Sequence, residues 1–395
     1  MKMLSVITLA ALALTSSLAN AQQQGVSKDE IVLGSIQDLS GPVASFGKQI
    51  RQGMLLAVEE LNEQGGINGR KVKLVVEDSA YDPKKAVLAA QKLVNQDKIF
   101  MMVGHIGTAH NMAAMPVQFE KNVINFFPTA AAREMYEPFH RLKYAFAATY
   151  YDQMLNHVPK LVKEKGAKKV CTIYQDDDFG LEHLKGGEDG LKTIGMTYAE
   201  QTSFKRGATD FSSQVQKMQA SGCDFIVMGT LIRETIGTIG TARKLGYNPT
   251  FLASSGAYTD LIHKLGGPAM NGLIAAMTVQ IPYTEGLSGP IQFWANKYKT
   301  KFNEDPAVMS VYGYLAIETF AAAASKAGKN LTTDSFIKVM DTMTYPNDIF
   351  GSAPYTFSPT KRLGSNTSRL SQIVDGKWKV ISNYTDETPA AKAKK

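Results

Sequence analysis

Ile31-Val-Leu-Gly-Ser-Ile36, the turn Ser40-Gly41-Pro42, a polar-apolar run over 47–63, Gly65-Gly66 and a second apolar run over 72–77 together decide the fold. The first run has strand length and no helical period. Over 47–63 the apolar residues Ile50, Met54, Leu55, Val58 and Leu61 recur at helical spacing, which predicts an amphipathic helix. Gly65-Gly66 supplies residues that end a helix without steric cost. Strand, helix and strand in this order predict a parallel pair with a helix on its face.

The same alternation continues outward. Asp82-Pro83 offers an N-cap and a first-turn proline for the next helix. Strands are expected at 99–103, 123–127 and 144–148. The second half repeats the order, with strands at 170–174, 196–200 (an edge), 224–228, 251–253 and 274–278. Helices are expected from Gly180 and after Asp210. Three more are expected at 289–303, at 309–327 and from Thr333, before a hairpin about Asp375-Gly376. Each half should be a mostly parallel sheet covered on both faces. The 395 residues suit two such units, and 44% apolar with 20% charged residues excludes disorder, collagen and coiled coil. The net charge of +7 is scattered. Its densest run, Lys163-Glu-Lys165-Gly-Ala-Lys168-Lys169, reads as a solvated helix end, so no nucleic-acid partner is expected.

Met1-Lys2-Met3, the apolar run 4–18 and Ala19-Asn20-Ala21 form the charge, core and cleavage pattern of a secretory signal peptide over 1–21. No Cys follows the cleavage site, which argues against a lipid anchor. No later stretch is read as a membrane span, and residues 390–395 are expected to fray. An exported chain permits a bridge between Cys171 and Cys223, both at strand starts. Two buried thiols satisfy the sequence equally well.

Motifs for catalysis fail on inspection. Gly41-Pro-Val-Ala-Ser-Phe-Gly47-Lys48-Gln49 has one residue too many for a phosphate loop and Gln49 where a Ser or Thr is needed. No G-x-G-x-x-G follows a strand, and no G-x-S-x-G elbow occurs. His105 and His110 are five apart, a poor helical metal spacing. Asp176-Asp177-Asp178 suits the start of a helix better than a cation. No enzyme activity, cofactor or metal is expected. In parallel sheets the ligand lies beyond the strand C-terminal ends. The loops there span 37–46, 104–110, 128–132, 175–179, 229–234 and 254–258, and are rich in small residues that expose backbone amides.

Taken in order, these segments resemble the leucine/isoleucine/valine-binding protein family, the type I periplasmic solute-binding proteins of ABC importers. The matches are the opening strand with Ser40-Gly41-Pro42, Gly65-Gly66-Ile67-Asn68-Gly69, Glu77-Asp78 with Asp82-Pro83, and Val103-Gly104-His105. Later ones are 176–180, Asp210-Phe211-Ser212 and Gly222-Cys-Asp-Phe225. The resemblance implies two doubly wound α/β lobes joined by three crossovers near Thr149, Ile281 and Phe357. Lobe 1 would comprise 22–148 plus 282–356, and lobe 2 would comprise 149–281 plus 357–389. It implies periplasmic capture of a small amino acid or related organic carboxylate by hinge closure. A membrane permease would be the partner and the protein a monomer. A sensory subunit and, least favoured, an exported hydrolase are the alternatives.

The resemblance also implies ligand residues. Thr108, with Ile106 and Gly107, matches a carboxylate-binding hydroxyl. Ala130 and Ala131 match backbone donors, although Ala131 replaces a hydroxyl residue. Phe46 and Phe179 match pocket walls, and Tyr151 and Tyr283 match crossover aromatics. Ser255 stands where the amino-acid binders of the family carry a Glu for the α-ammonium. Either Asp152 or Glu234 replaces that acid, or the ligand lacks an ammonium. The second is favoured. Arg233 is a weaker candidate for a carboxylate partner.

Overall fold

The computed structural model describes residues 23–385. The expected signal peptide and frayed tail lie outside them. The first half runs β1 (Glu30–Gln37), α1 (Ala44–Glu63), β2 (Lys71–Asp78), α2 (Pro83–Asn95), β3 (Met101–Val103), α3 (Thr108–Glu120), β4 (Ile124–Phe126) and β5 (Lys143–Tyr144). The second half runs α4 (Tyr150–Lys165), β6 (Val170–Gln175), α5 (Asp178–Lys192), β7 (Tyr198–Phe204), α6 (Ser212–Ala220) and β8 (Phe225–Gly229). It continues with α7 (Ile232–Lys244), β9 (Thr250–Ala253), α8 (Asp260–Gly266) and β10 (Ile274–Met277). Then come α9 (Gly289–Phe302), α10 (Val308–Ala327), α11 (Thr333–Met340), β11 (Thr344–Tyr345), β12 (Tyr355–Thr356), β13 (Arg369–Val374) and β14 (Lys377–Val380).

One sheet has the order β2-β1-β3-β4-β5. The other has β14-β13-β10-β9-β8-β6-β7. Read from its first strand pair, each sheet has the same parallel 2-1-3-4-5 order. The hairpin β13–β14 then extends the second sheet antiparallel to β10. Asp375 and Gly376 both have positive φ, as a two-residue turn of the primed type demands. The chain crosses between the halves three times: before α4, after β10 and before β13. This is the type I periplasmic-binding-protein architecture, two parallel-sheet α/β lobes joined by three crossovers.

Local chemistry explains the elements. Asp82 caps α2 by accepting the Lys84 N–H at 2.7 Å, with Pro83 in the first turn. Asp177 caps α5, accepting from Phe179 and Gly180. Cys171 and Cys223 are joined in a disulfide that ties β6 to the segment entering β8. This decides between the two alternatives the sequence left open.

Three expectations need correction. The strand expected at 144–148 is only Lys143–Tyr144. Beyond it, Ala145 N–H donates to the Arg362 carbonyl, and Ala145 O accepts from Gly364. The segment is thus held by the returning crossover, not by the sheet. Helix α1 does not bury a single stripe. Leu55 is half-buried, whereas Gly53, Leu56 and Ala57 are buried. The second face packs on α10. A Cβ on Gly53 would come 1.9 Å from Ser310 O, and one on Gly313 2.2 Å from Ile50 O, so glycine is what lets these helices cross so closely. Finally, α10 is long and apolar enough to cross a membrane by composition alone. Its apolarity is explained by burial, since Val311, Ala316, Ile317, Phe320 and Ala324 sit in the core with Ile50, Met54 and Phe336.

Candidate ligand-binding site

The strand C-terminal ends of both sheets face one cavity with about 940 Å³ of atom-free space, mouth included. After β1 come Val43 and Phe46, and after β3 come Ile106, Gly107 and Thr108. Residues 127–132 follow β4 and residues 145–148 follow β5. The second half contributes Tyr150, Phe179, Leu231, Ser255, Gly256 and Thr278. Residues from all six expected ligand loops therefore converge at the switch points of two sheets.

Thr108 is placed by a dense backbone zipper. Thr129 N–H donates to His105 O at 3.0 Å, and Gly107 N–H to Thr129 O at 3.3 Å. Asn111 Nδ2 donates to the carbonyls of both His105 and Gly107. Gly107 has φ +92°, and a Cβ there would sit 2.4 Å from His110 Nδ1, so this turn requires glycine. Helix α3 starts immediately after it with no side-chain cap. Its first amides are unpaired by helix geometry and carry positive dipole charge. Thr108 is 2% exposed and lines the cavity, and its hydroxyl has no hydrogen-bond partner among the described residues. A buried hydroxyl left unpaired costs about 1–3 kcal/mol, which a ligand can recover. Beside it, the Ala131 N–H faces the Tyr150 hydroxyl, whose pKa burial raises to about 12, so the phenol stays neutral.

The second half pairs polar groups around the cavity with one another. Buried His183 bonds Phe179 O through Nδ1 at 2.8 Å and Ser254 Oγ through Nε2 at 2.6 Å. A carbonyl can only accept, so Nδ1 carries the proton and Nε2 accepts from Ser254. Ser254 Oγ in turn accepts the Gly256 N–H at 3.1 Å. The imidazole stacks on Tyr150 at 4.7 Å, and burial lowers its pKa to about 4. Ser255 is gripped by Gln153, whose Oε1 accepts the Ser255 N–H at 2.8 Å and whose Nε2 donates to Ser255 Oγ at 2.9 Å.

No charged side chain lines the cavity. Asp152 is occupied in the α4 capping box, its Oδ2 accepting from Thr149 Oγ at 2.7 Å. Glu234 sits in the first turn of α7, where burial raises its carboxyl pKa. Neither acid lines the cavity. Arg233 is exposed and reaches only Gly207 O, at 3.5 Å. Serine-type chemistry also finds no support. Thr108 has no histidine partner, and Ser254 is fully buried with both hydrogen-bonding roles used. Among the described residues no group of three or more His, Cys, Asp or Glu is placed to hold a metal.

Eight expected site residues line the cavity: Phe46, Ile106, Gly107, Thr108, Ala130, Ala131, Phe179 and Ser255. Tyr151 and Tyr283 do not. At the first turn of α4 it is Tyr150 that points inward. Tyr151 turns outward to bond Asp189 at 2.9 Å and to carry the Arg133 guanidinium 3.8 Å above its ring. Tyr283 lies at the β14 edge, where its hydroxyl accepts the Trp378 N–H and bonds His263. The positions the sequence reading missed include Tyr81, Phe127, residues 145–149, Tyr150, Thr278 and the α10 residues Met309, Tyr312 and Leu315. Tyr81 had no sequence signal. It follows Ala80 in a turn where both have positive φ, and its ring stacks on His110 at 4.4 Å. Tyr312, Met309 and Leu315 fall at spacings of three on the apolar helix, which alone did not separate cavity from core.

Contacts between the halves include the Thr278–Tyr312 hydroxyl pair at 2.8 Å and two that involve arginines. Arg133 donates its N–H and its Nε to the Glu182 carboxylate of α5, at 2.9 and 2.8 Å. Arg206, paired with Asp177, lies 5.3 Å from the Tyr81 ring.

Residues 30–377 match the periplasmic binding protein family. An amino acid binding protein of Pseudomonas aeruginosa is 30% identical over 308 residues, 76% of this chain and 80% of that one. A leucine-, isoleucine-, valine-, threonine- and alanine-binding protein of the same organism is 27% identical, covering 79% of this chain and 83% of its own. Among solved structures, a fatty acid ABC transporter substrate-binding protein from Thermomonospora curvata superposes with a TM-score of 0.83. It is 24% identical, over 92% of this chain and 94% of that one. A leucine binding protein from Thermotoga maritima gives a TM-score of 0.79 at 20% identity, over 89% and 97%.

Proposed function

This chain belongs to the periplasmic binding protein family, and from that premise we propose that it captures a small amino acid or related organic carboxylate in the interlobe cleft and delivers it to an ABC permease in the inner membrane. Residues 1–21 direct export to the periplasm, where the protein acts as a monomer. The lobes are 22–148 with 282–356 and 149–281 with 357–389, and they hinge near Thr149, Ile281 and Phe357. The Arg133–Glu182 pair and the Arg206–Tyr81 contact hold the closed form.

One observation carries this reading: the buried, unpartnered Thr108 hydroxyl at the uncapped start of α3, inside a cavity shared by both halves. An anionic ligand group satisfies the hydroxyl and the helix dipole together. A thermal-shift screen of the mature protein against amino acids and carboxylates tests it, because ligand binding to the folded state raises the melting temperature by mass action. Stabilisation by at least one member is expected. Cellular uptake of that compound should then require the protein. No stabilisation by any carboxylate contradicts the reading.

A further inference from the structure

We propose that the ligand is a monocarboxylate with an apolar body and no ammonium group. This narrows the function proposed above and rests on it. The cavity has one polar corner, built in the first half from the Thr108 hydroxyl and the start of α3, with the Ala131 amide alongside. These groups are donors, so they suit an anion. The opposite wall comes from the second half and is electrically neutral. Its polar residues include Ser255, whose N–H donates to Gln153 Oε1 and whose Oγ accepts from Gln153 Nε2, Thr278, whose hydroxyl bonds the Tyr312 hydroxyl, and the neutral Tyr150 phenol. The remaining second-half wall includes Phe179, Leu231 and Gly256.

An ammonium buried here would find carbonyl oxygens and ring faces, but no carboxylate. A desolvated cation without a counter-charge costs several kcal/mol. None of the acids in reach by sequence lines the cavity: Asp152 is held in the α4 cap, Glu182 pairs with Arg133, and Glu234 sits buried in the first turn of α7. A second ligand carboxylate is excluded by the same reasoning, since no Lys or Arg lines the space. Phe46 and Phe179 reach in from opposite halves, each at the first turn of a helix, and offer apolar contact to a branched aliphatic or ring-bearing body.

Matched pairs that differ only in the α-amino group provide the test. Isothermal titration of the mature chain would compare 4-methylpentanoate with L-leucine, and 3-phenylpropanoate with L-phenylalanine. In at least one pair the des-amino member should bind about 100-fold more tightly, or alone. Equal or tighter binding of the amino acids overturns this inference and leaves carboxylate capture standing. Failure of both members, across a panel of short and medium monocarboxylates, brings down the carboxylate reading itself. In Ser255→Glu the preference should swing at least about 10-fold toward the amino acid, because the new carboxylate supplies the absent counter-charge. An unchanged preference in a folded variant counts against the neutral wall as the cause. If that variant does not fold, the wild-type pairs alone decide.

Discussion

The two halves share a sheet order and a first turn, yet treat the polar groups around the cavity differently. After β1, the Asp38 carboxylate accepts the Gly41 and Val43 amides, and Phe46-Gly47 follows. After β6, Asp177 accepts the Phe179 and Gly180 amides, again with a Phe-Gly pair. A Cβ on Gly47 would lie 1.9 Å from Asp38 O, and one on Gly180 1.8 Å from Gln175 O. Each of these glycines therefore packs against a backbone carbonyl in a way that leaves no room for a side chain. The difference begins at the ligand. The first half leaves Thr108 and the buried His105 ring without hydrogen-bond partners. Around the cavity the second pairs His183 with Ser254, and Gln153 with Ser255. One lobe is a donor bed and the other a neutral lid. Among the described residues that line the cavity, the buried side-chain group left unpaired is the Thr108 hydroxyl of the first half.

The largest difference to break is covalent, for only the second half carries a disulfide. Cys171→Ala with Cys223→Ala opens a loop of sequence separation 52 and should cost about 4 kcal/mol of unfolding free energy. Urea titration measures it, and a loss below about 1 kcal/mol would show that the bridge constrains nothing. Next is acid sensitivity. His183 is held neutral to about pH 4 by burial, whereas in the unfolded chain it protonates near 6.5. Its contribution is whole above pH 6.5 and is lost as pH falls toward 4, by up to about 3 kcal/mol. His183→Gln should flatten the dependence of stability on pH across that window. An identical slope in both proteins would contradict the buried neutral imidazole.

The matched glycines sharpen the likeness. Gly47→Ala and Gly180→Ala should each cost about 2–3 kcal/mol, since both press a methyl into a carbonyl. Costs that differ by more than about 2 kcal/mol between the variants would break the equivalence of the two turns. The smallest effect falls on binding. Thr108→Val should weaken carboxylate affinity by about 1–3 kcal/mol while leaving the melting temperature of the free protein unchanged or higher. The free protein loses no hydrogen bond, because this hydroxyl has none. Titration calorimetry with differential scanning reads both. Unchanged affinity would remove Thr108 from the site.

Much of this was legible in the sequence because it is written in local patterns. The run from Ile31 to Glu77, repeated after Val170, carries its strand and helix periods and its turn residues on its face. Asp82-Pro83, Asp177 and Asp375-Gly376 act through neighbours within three residues, so their roles could be read from spacing. What was not legible depends on distant partners. The inward residue of Tyr150-Tyr151 is set by how α4 sits against α5, and no periodicity distinguishes adjacent tyrosines. Tyr283 was drawn away by Trp378 and His263, each far along the chain or on another element. Residues 145–148 read as strand because they are apolar, but the backbone hydrogen bonds of Ala145 belong to a segment more than two hundred residues later. The fate of Asp152 and Glu234, each a nominal replacement acid near Ser255, is decided by helix starts rather than by the cavity.

The most direct test of the donor bed and neutral lid is a crystal structure of the protein with the tightest ligand from the carboxylate panel. The account predicts the carboxylate oxygens about 3 Å from Thr108 Oγ and the Ala131 amide, with the apolar body between Phe46 and Phe179. A carboxylate seated instead on Ser255 and Gly256 of the second half, with Thr108 still unpaired, would contradict it.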